Sequence, residues 1–123
     1  MARAKHETYG AFTRRLREVK NVGLREFAKL LGVSATYVSQ VERDELPPPA
    51  EERVVKTAEL LGVDRDELMA RAGRVSRELE DIIRDKPKAA AVLLRHVKKM
   101  SAEQLDELNK KLSAKDKRVV TDL

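Results

Sequence analysis

Apolar residues recur along the chain at three- and four-residue intervals, broken by glycine or proline. That pattern predicts a succession of short amphipathic helices. Tyr9, Phe12, Thr13, Leu16 and Val19 form one stripe over about Tyr9–Lys20, with Arg14, Arg15, Arg17 and Glu18 on other faces. Asn21, Val22 and Gly23 interrupt it. A second helix follows over Leu24–Leu31 with Leu24, Phe27, Ala28 and Leu31 inward, and Gly23 with Glu26 has the spacing of a capping box. Gly32 stops this helix from the left-handed C′ position. Val33 turns inward, and Ser34 caps a third helix from Ala35 to about Glu42 or Arg43 that buries Val38 and Val41.

Pro47, Pro48 and Pro49 force an extended connection. A fourth helix, Ala50–Leu61, buries Val54, Val55, Ala58 and Leu61 and ends at Gly62. Asp64 and Glu67 have capping-box spacing for a fifth, which ends near Ala72-Gly73. Beyond Gly73 the composition shifts. Ser76 caps a short helix bearing Leu79, Ile82 and Ile83. Asp85-Lys86-Pro87 marks a new start, and Pro87–Met100 carries Ala90, Leu93, Leu94, Val97 and Met100. Ser101 and Gln104 box the start of a last helix with Leu105, Leu108 and Leu112. The predicted class is therefore all-α. Residues 1–73 form a five-helix domain, residues 74–112 a short three-helix extension, and residues 113–123 a flexible charged tail that frays.

At 123 residues, the chain has room for one ordinary domain plus an accessory piece. Aromatics are only 3%, so Leu, Val, Ile and Ala must fill the core. With no cysteine, disulfides and thiolate metal sites are excluded. The absence of a long apolar run or a secretory pattern predicts a soluble, cytoplasmic chain. The net charge is +5, but its distribution says more. Residues 1–29 hold eight Lys/Arg (Arg3, Lys5, Arg14, Arg15, Arg17, Lys20, Arg25, Lys29) against Glu7, Glu18 and Glu26, whereas residues 42–67 hold nine acids against four bases. A basic front and an acidic back suit a polyanion approached from one side.

The segment Leu24–Glu42, LREFAKLLGVSATYVSQVE, joins two short helices by a glycine-containing turn. Ala28 is small where the third helix crosses it, and Val33, Val38 and Val41 wedge the pair open at roughly 90–120°. A second helix held this way fits the major groove, ~12 Å wide, while the first spans the backbone. Over residues 9–72 the chain resembles the helix-turn-helix domain of the phage-repressor (Xre/Cro-like) family. The matching features are Tyr9-Gly10, Leu16-Arg17, the run from LREFA through GVS to Tyr37-Val38-Ser39 and Glu42, then proline and a helix ending Leu61-Gly62-Val63.

The resemblance implies a sequence-specific double-stranded DNA-binding transcriptional regulator, nucleoid-associated when bound, most naturally a homodimeric repressor reading an inverted repeat. It places Ala35, Thr36, Ser39 and Gln40 on the groove-facing surface. Gln40 has the amide to bond an adenine edge, and Ala35 and Thr36 have methyls for thymine. Ser39 is alternatively plain surface. Ser34 and Tyr37 are implied phosphate contacts, Ser34 being equally a cap. Arg17 and Glu42 match the family's ion pair between the first and third helices, a pair that alternatively leaves Arg17 near phosphate. Two positions depart from the family pattern. Leu24 stands where a phosphate-clamping glutamine is common, and Glu42-Arg43-Asp44-Glu45 replaces a Glu-x-Gly loop with basic neighbours. Lys20, Arg25 and Arg43 are the substitute phosphate contacts.

Residues 74–112 are too short for an independent domain. They serve as a lid on the fifth helix or, the preferred reading, as a dimerisation surface. They also resemble the C-terminal extension of regulators paired with an ImmA/IrrE-type zinc metallopeptidase, which implies a regulatory metallopeptidase or other protein as a partner. The alternative function is an antitoxin or protein-bridging adaptor that uses these helices to bind a partner. Enzymatic chemistry is disfavoured: there is no phosphate loop, nucleophile elbow or HExxH motif. His6 and His96 stand far apart with no companion ligand, so neither a metal nor another cofactor is expected.

Overall fold

The computed structural model describes residues 7–122, with side-chain surroundings for residues 7–116. Arg3, Lys5 and His6 lie outside the described residues, as does Leu123 at the end of the tail. Among the described residues there are eight helices and no strand, so the chain is all-α as expected: α1 Tyr9–Val19, α2 Leu24–Leu31, α3 Ala35–Glu42, α4 Glu51–Leu61, α5 Arg65–Arg71, α6 Arg77–Asp85, α7 Pro87–Lys99 and α8 Ala102–Asp122. None of these is long and apolar enough to cross a membrane.

Local chemistry sets the boundaries. Thr8 caps α1 by accepting the Ala11 N–H at 3.0 Å, and Asp64 caps α5 by accepting that of Glu67 at 2.9 Å. Gly32 and Gly62 end α2 and α4 with φ of 84° and 70°. Ser101 and Gln104 form a reciprocal capping box, each side chain bonding the other's N–H at 3.0 and 2.9 Å. Pro87 opens α7. α2 opens on Gly23 without a side-chain cap, which leaves Glu26 as a first-turn acid that complements the helix dipole.

Helices α1–α5 bury two apolar clusters. Tyr9, Phe12, Val41, Val54, Ala58, Leu68 and Met69 form one, while Phe27, Ala28, Val38 and Leu61 form the other. Leu16 and Val63 pack against both. Two expected apolar core positions of α1–α5 join neither cluster. Val19 is 74% exposed, because α1 ends there and Val22, after the turn, packs against the second cluster instead. Val55 is only half-buried.

The chain divides into two compact units between Arg77 and Glu78, four residues past the expected boundary after Gly73. Gly73, at φ 75°, is a turn within the first unit. The Arg74 guanidinium donates to the Pro49 carbonyl and, at 2.7 Å, to that of Pro48, and the Arg77 N–H reaches Glu51 at 3.2 Å. These bonds fasten residues 74–77 to the start of α4. In the second unit, α8 continues through the expected tail to Asp122. No glycine or proline follows Pro87, and strong helix formers sustain a helix where apolar periodicity fails. The Asp106–Lys110 pair at 3.3 Å adds an i,i+4 contact.

Candidate nucleic-acid interface

The turn between α2 and α3 is fixed by backbone bonds rather than crowding. The N–H groups of Gly32 and Val33 both donate to the Ala28 carbonyl at 2.9 Å. A Cβ on Gly32 would meet open space, so its left-handed φ alone calls for glycine. Ala28 beneath it is 2% exposed and packs with Val38 of α3. On the far side of the turn, the Ser34 hydroxyl accepts the Tyr37 N–H at 3.0 Å, so its capping role is realised.

Along α3, Val38 and Val41 are buried while Ser34 and Thr36 are exposed. Ala35, Tyr37, Ser39 and Gln40 are half-buried at its edges. Ala35 packs on the second cluster and Tyr37 on the first. The Gln40 carbonyl accepts the N–H groups of Glu45 at 2.8 Å and Leu46 at 3.3 Å, which folds the following loop back onto the helix. The side chains of Thr36 and Gln40 make no hydrogen bond among the described residues. Their donors and acceptors are therefore available to a ligand.

The C-terminal end of α3 is held by α1. Arg17 donates to Glu42 through Nε at 2.8 Å and Nη2 at 3.0 Å, and its Nη1 reaches the Val22 carbonyl at 2.8 Å. Arg17 is thereby engaged in the fold and buried, as its structural reading expects. Gly10 lies against the same end: a Cβ there would stand 2.3 Å from the Val41 carbonyl oxygen. Asp44, at φ 61°, accepts the Thr8 hydroxyl at 3.0 Å. Asp44, one of the loop's departures from the family pattern, is thus part of the α1 junction.

Its neighbours form an exposed cluster. Arg43 donates to Glu45 through Nε at 2.9 Å and Nη2 at 3.0 Å, and through Nη1 to the Ser39 hydroxyl. These hydrogen bonds hold the Glu45 carboxyl below its usual range. Arg43 is thus paired within the protein, whereas Arg25 is exposed and unpaired among the described residues. Lys20 reaches to the C-terminal end of α4, its Nζ 3.4 Å from where a Gly62 Cβ would sit, where the helix dipole favours a cation. Leu24, in the place of a phosphate clamp, packs on the second cluster.

One cation was missed. Arg53 of α4 lies 5.9 Å over the Tyr37 ring and is exposed beside α3. Its only sequence signal is a base following Glu51 and Glu52, which does not reveal the partner. His96 is exposed on α7.

Residues 8–79 match the family model described as a helix-turn-helix domain, which is more than half of the chain. The HTH-type transcriptional regulator MT0491 of Mycobacterium tuberculosis, uncharacterised, is 37% identical over 76 residues, 62% of this chain and 54% of that protein. The chain thus spans about half the length of the curated relatives it matches. Among solved structures, the biofilm master regulator SinR in complex with DNA is 28% identical, covering 50% of this chain and 97% of SinR with a TM-score of 0.46. The clp gene regulator ClgR of Corynebacterium glutamicum is 27% identical, covering 72% and 88% with a TM-score of 0.47.

Proposed function

We propose that this chain, which belongs to the helix-turn-helix domain family, is a sequence-specific double-stranded DNA-binding transcriptional regulator. The observation that carries the reading is α3 itself. It is a short helix pinned at both ends, with the unpaired side chains of Thr36 and Gln40 on the edge away from Val38 and Val41. Inserted in a major groove, Gln40 reads an adenine edge, while Ala35 and the Thr36 methyl meet thymine methyls. Ser34 and Tyr37 approach phosphate at the N-terminus of α3, where free N–H groups and the dipole favour an anion. Arg25 is a further phosphate contact. A cation in the first turn of α2 opposes the dipole there, so its placement favours a role outside the fold. Arg53 and Arg43 extend the basic border, with Lys20 more distant at the end of α4.

The finer reading is a homodimeric repressor of an inverted repeat. A single α3 reads few base pairs, and two copies about one helical turn apart gain length and affinity. Binding of the full chain to duplex DNA, followed by fluorescence anisotropy across a salt series, tests the reading. Phosphate contacts release counterions, so affinity falls linearly on a log–log plot. A flat response, or equal affinity for every sequence in a selected pool, would sink it.

A further inference from the structure

The faces of α6 and α7 are opposite in charge and alike in being uncovered. α6 carries Glu78, Glu80, Asp81 and Asp85 against Arg84 after its first residue, while α7 carries Lys88, Arg95, Lys98 and Lys99 and no acid. Neither helix has a buried residue. Ile82 on α6 is 51% exposed, and Leu93 and Leu94 on α7 are 56% and 52% exposed. Apolar stripes rimmed by charge mark interaction surfaces.

The rims are set by helical spacing. Glu78 precedes Ile82 by four residues and Asp85 follows it by three. Lys98 follows Leu94 by four, and Arg95 follows Ala91 by four. Residues so spaced are neighbours on a helix surface, so acids border the α6 stripe and bases the α7 stripe. None of these four charged side chains has an ion pair among the described residues.

The two stripes do not close on each other within one chain. α6 ends at Asp85 and α7 begins at Pro87, leaving Lys86 alone between them. An antiparallel helical hairpin takes a loop of about two to five residues. Consistent with that, α6 and α7 are not among the helix pairs that pack extensively, and Ile82, Leu93 and Leu94 stay half-exposed. Complementary faces on one chain that cannot meet there can meet between copies.

We propose that a second copy of this chain covers them, with α6 of each copy laid on α7 of the other about a two-fold axis. In such an isologous contact every pairing occurs twice, so both acidic and both basic faces are matched. Pairing α7 with α7 would instead set cations against cations. This arrangement deepens the homodimer of the proposed function by naming its faces, and it rests on that reading only for its purpose.

The test uses three preparations of the full chain, sized by sedimentation equilibrium at micromolar concentration with helicity checked by circular dichroism. They are the wild type, Glu78→Lys with Asp85→Lys, and Arg95→Glu with Lys98→Glu. The wild type is expected to be dimeric, and each variant alone to dimerise at least about tenfold more weakly, because like charges then face each other. An equimolar mixture of the two variants is expected to form a heterodimer near wild-type strength, since reversal of both partners restores attraction. A monomeric wild type, a variant as dimeric as wild type, or a mixture that stays monomeric would overturn the proposal. Anisotropy on the same samples separates the two readings. Sequence-specific DNA binding by a monomer removes this interface alone, and a dimer indifferent to DNA removes the regulator alone.

Discussion

Arg17 and Glu42 join α1 to the end of α3 through two parallel hydrogen bonds of 2.8 and 3.0 Å, their side chains only 9% and 6% exposed. This fork-to-fork geometry is the strong form of an ion pair. Its value lies in what remains when one partner goes: an uncompensated buried charge, costing about 3–5 kcal/mol. Arg17→Ala or Glu42→Ala should therefore lower stability by that amount in urea unfolding. Arg17→Met combined with Glu42→Leu should recover most of it, because an apolar pair carries no desolvation penalty. Single losses under about 1 kcal/mol would show the pair to be dispensable.

Gly10 is a contact glycine, not a flexible one. An added Cβ would stand 2.3 Å from the Val41 carbonyl oxygen and 2.9 Å from that of Glu42, so α1 and α3 would have to separate. Gly10→Ala should cost about 1–3 kcal/mol of stability, the range for overpacking. DNA affinity should fall with it, since the displaced element is α3. A variant as stable as wild type would mean the junction yields freely.

Gln40 and Arg25 should fail in different ways. Gln40→Ala should cost about 1–3 kcal/mol at one base position and relax preference there. Arg25→Ala should weaken all sequences alike and reduce the salt slope by about 1. Binding to a panel of single-base operator variants separates the two. Uniform loss for both would remove Gln40 from base readout.

The Arg43–Glu45 pair gives an expectation of opposite sign. Glu45→Ala removes an exposed carboxylate and frees the Arg43 guanidinium. DNA binding should tighten several-fold at low salt and gain about one unit of salt slope. Weaker binding would mean that Glu45 aims Arg43 rather than masking it.

Tyr9 makes stability sensitive to alkali. Burial pushes its phenol up to about 12, so the folded chain keeps the proton longer than the unfolded one. Its contribution is intact below about pH 10, the ordinary tyrosine value, and is lost as pH rises toward 12, by up to ~1.4 kcal/mol per pH unit. Urea midpoints taken across that window should fall less steeply for Tyr9→Phe than for wild type. Parallel curves would assign the alkaline loss to other groups.

What was legible in the sequence was local. Gly32 and Gly62 end helices because a left-handed residue is cheap only there, and Ser34, Asp64 and Ser101 start them because their side chains reach a nearby N–H. Those rules need no knowledge of the rest of the chain. Asp44 reads as an acid in a DNA-facing loop until Thr8, thirty-six positions away, is brought to it. Val19 fits the stripe of α1, yet it falls where the helix ends and the turn delivers Val22 instead. The continuation of α8 past Ser113 is not legible because apolar periodicity is a poor guide to a helix made of Lys, Ala and Asp. Arg53 beside Tyr37 and the full burial of Arg17 likewise depend on tertiary neighbours.

Val38 and Val41 belong to different apolar clusters, so α3 stands in the seam between them. A helix at the edge of one cluster can open while the remainder stays folded. α3 has no such freedom, because releasing it exposes both clusters together. Its amide hydrogens should therefore exchange with solvent only through openings as large as the whole first unit, and any loss of global cooperativity reaches the reading surface at once.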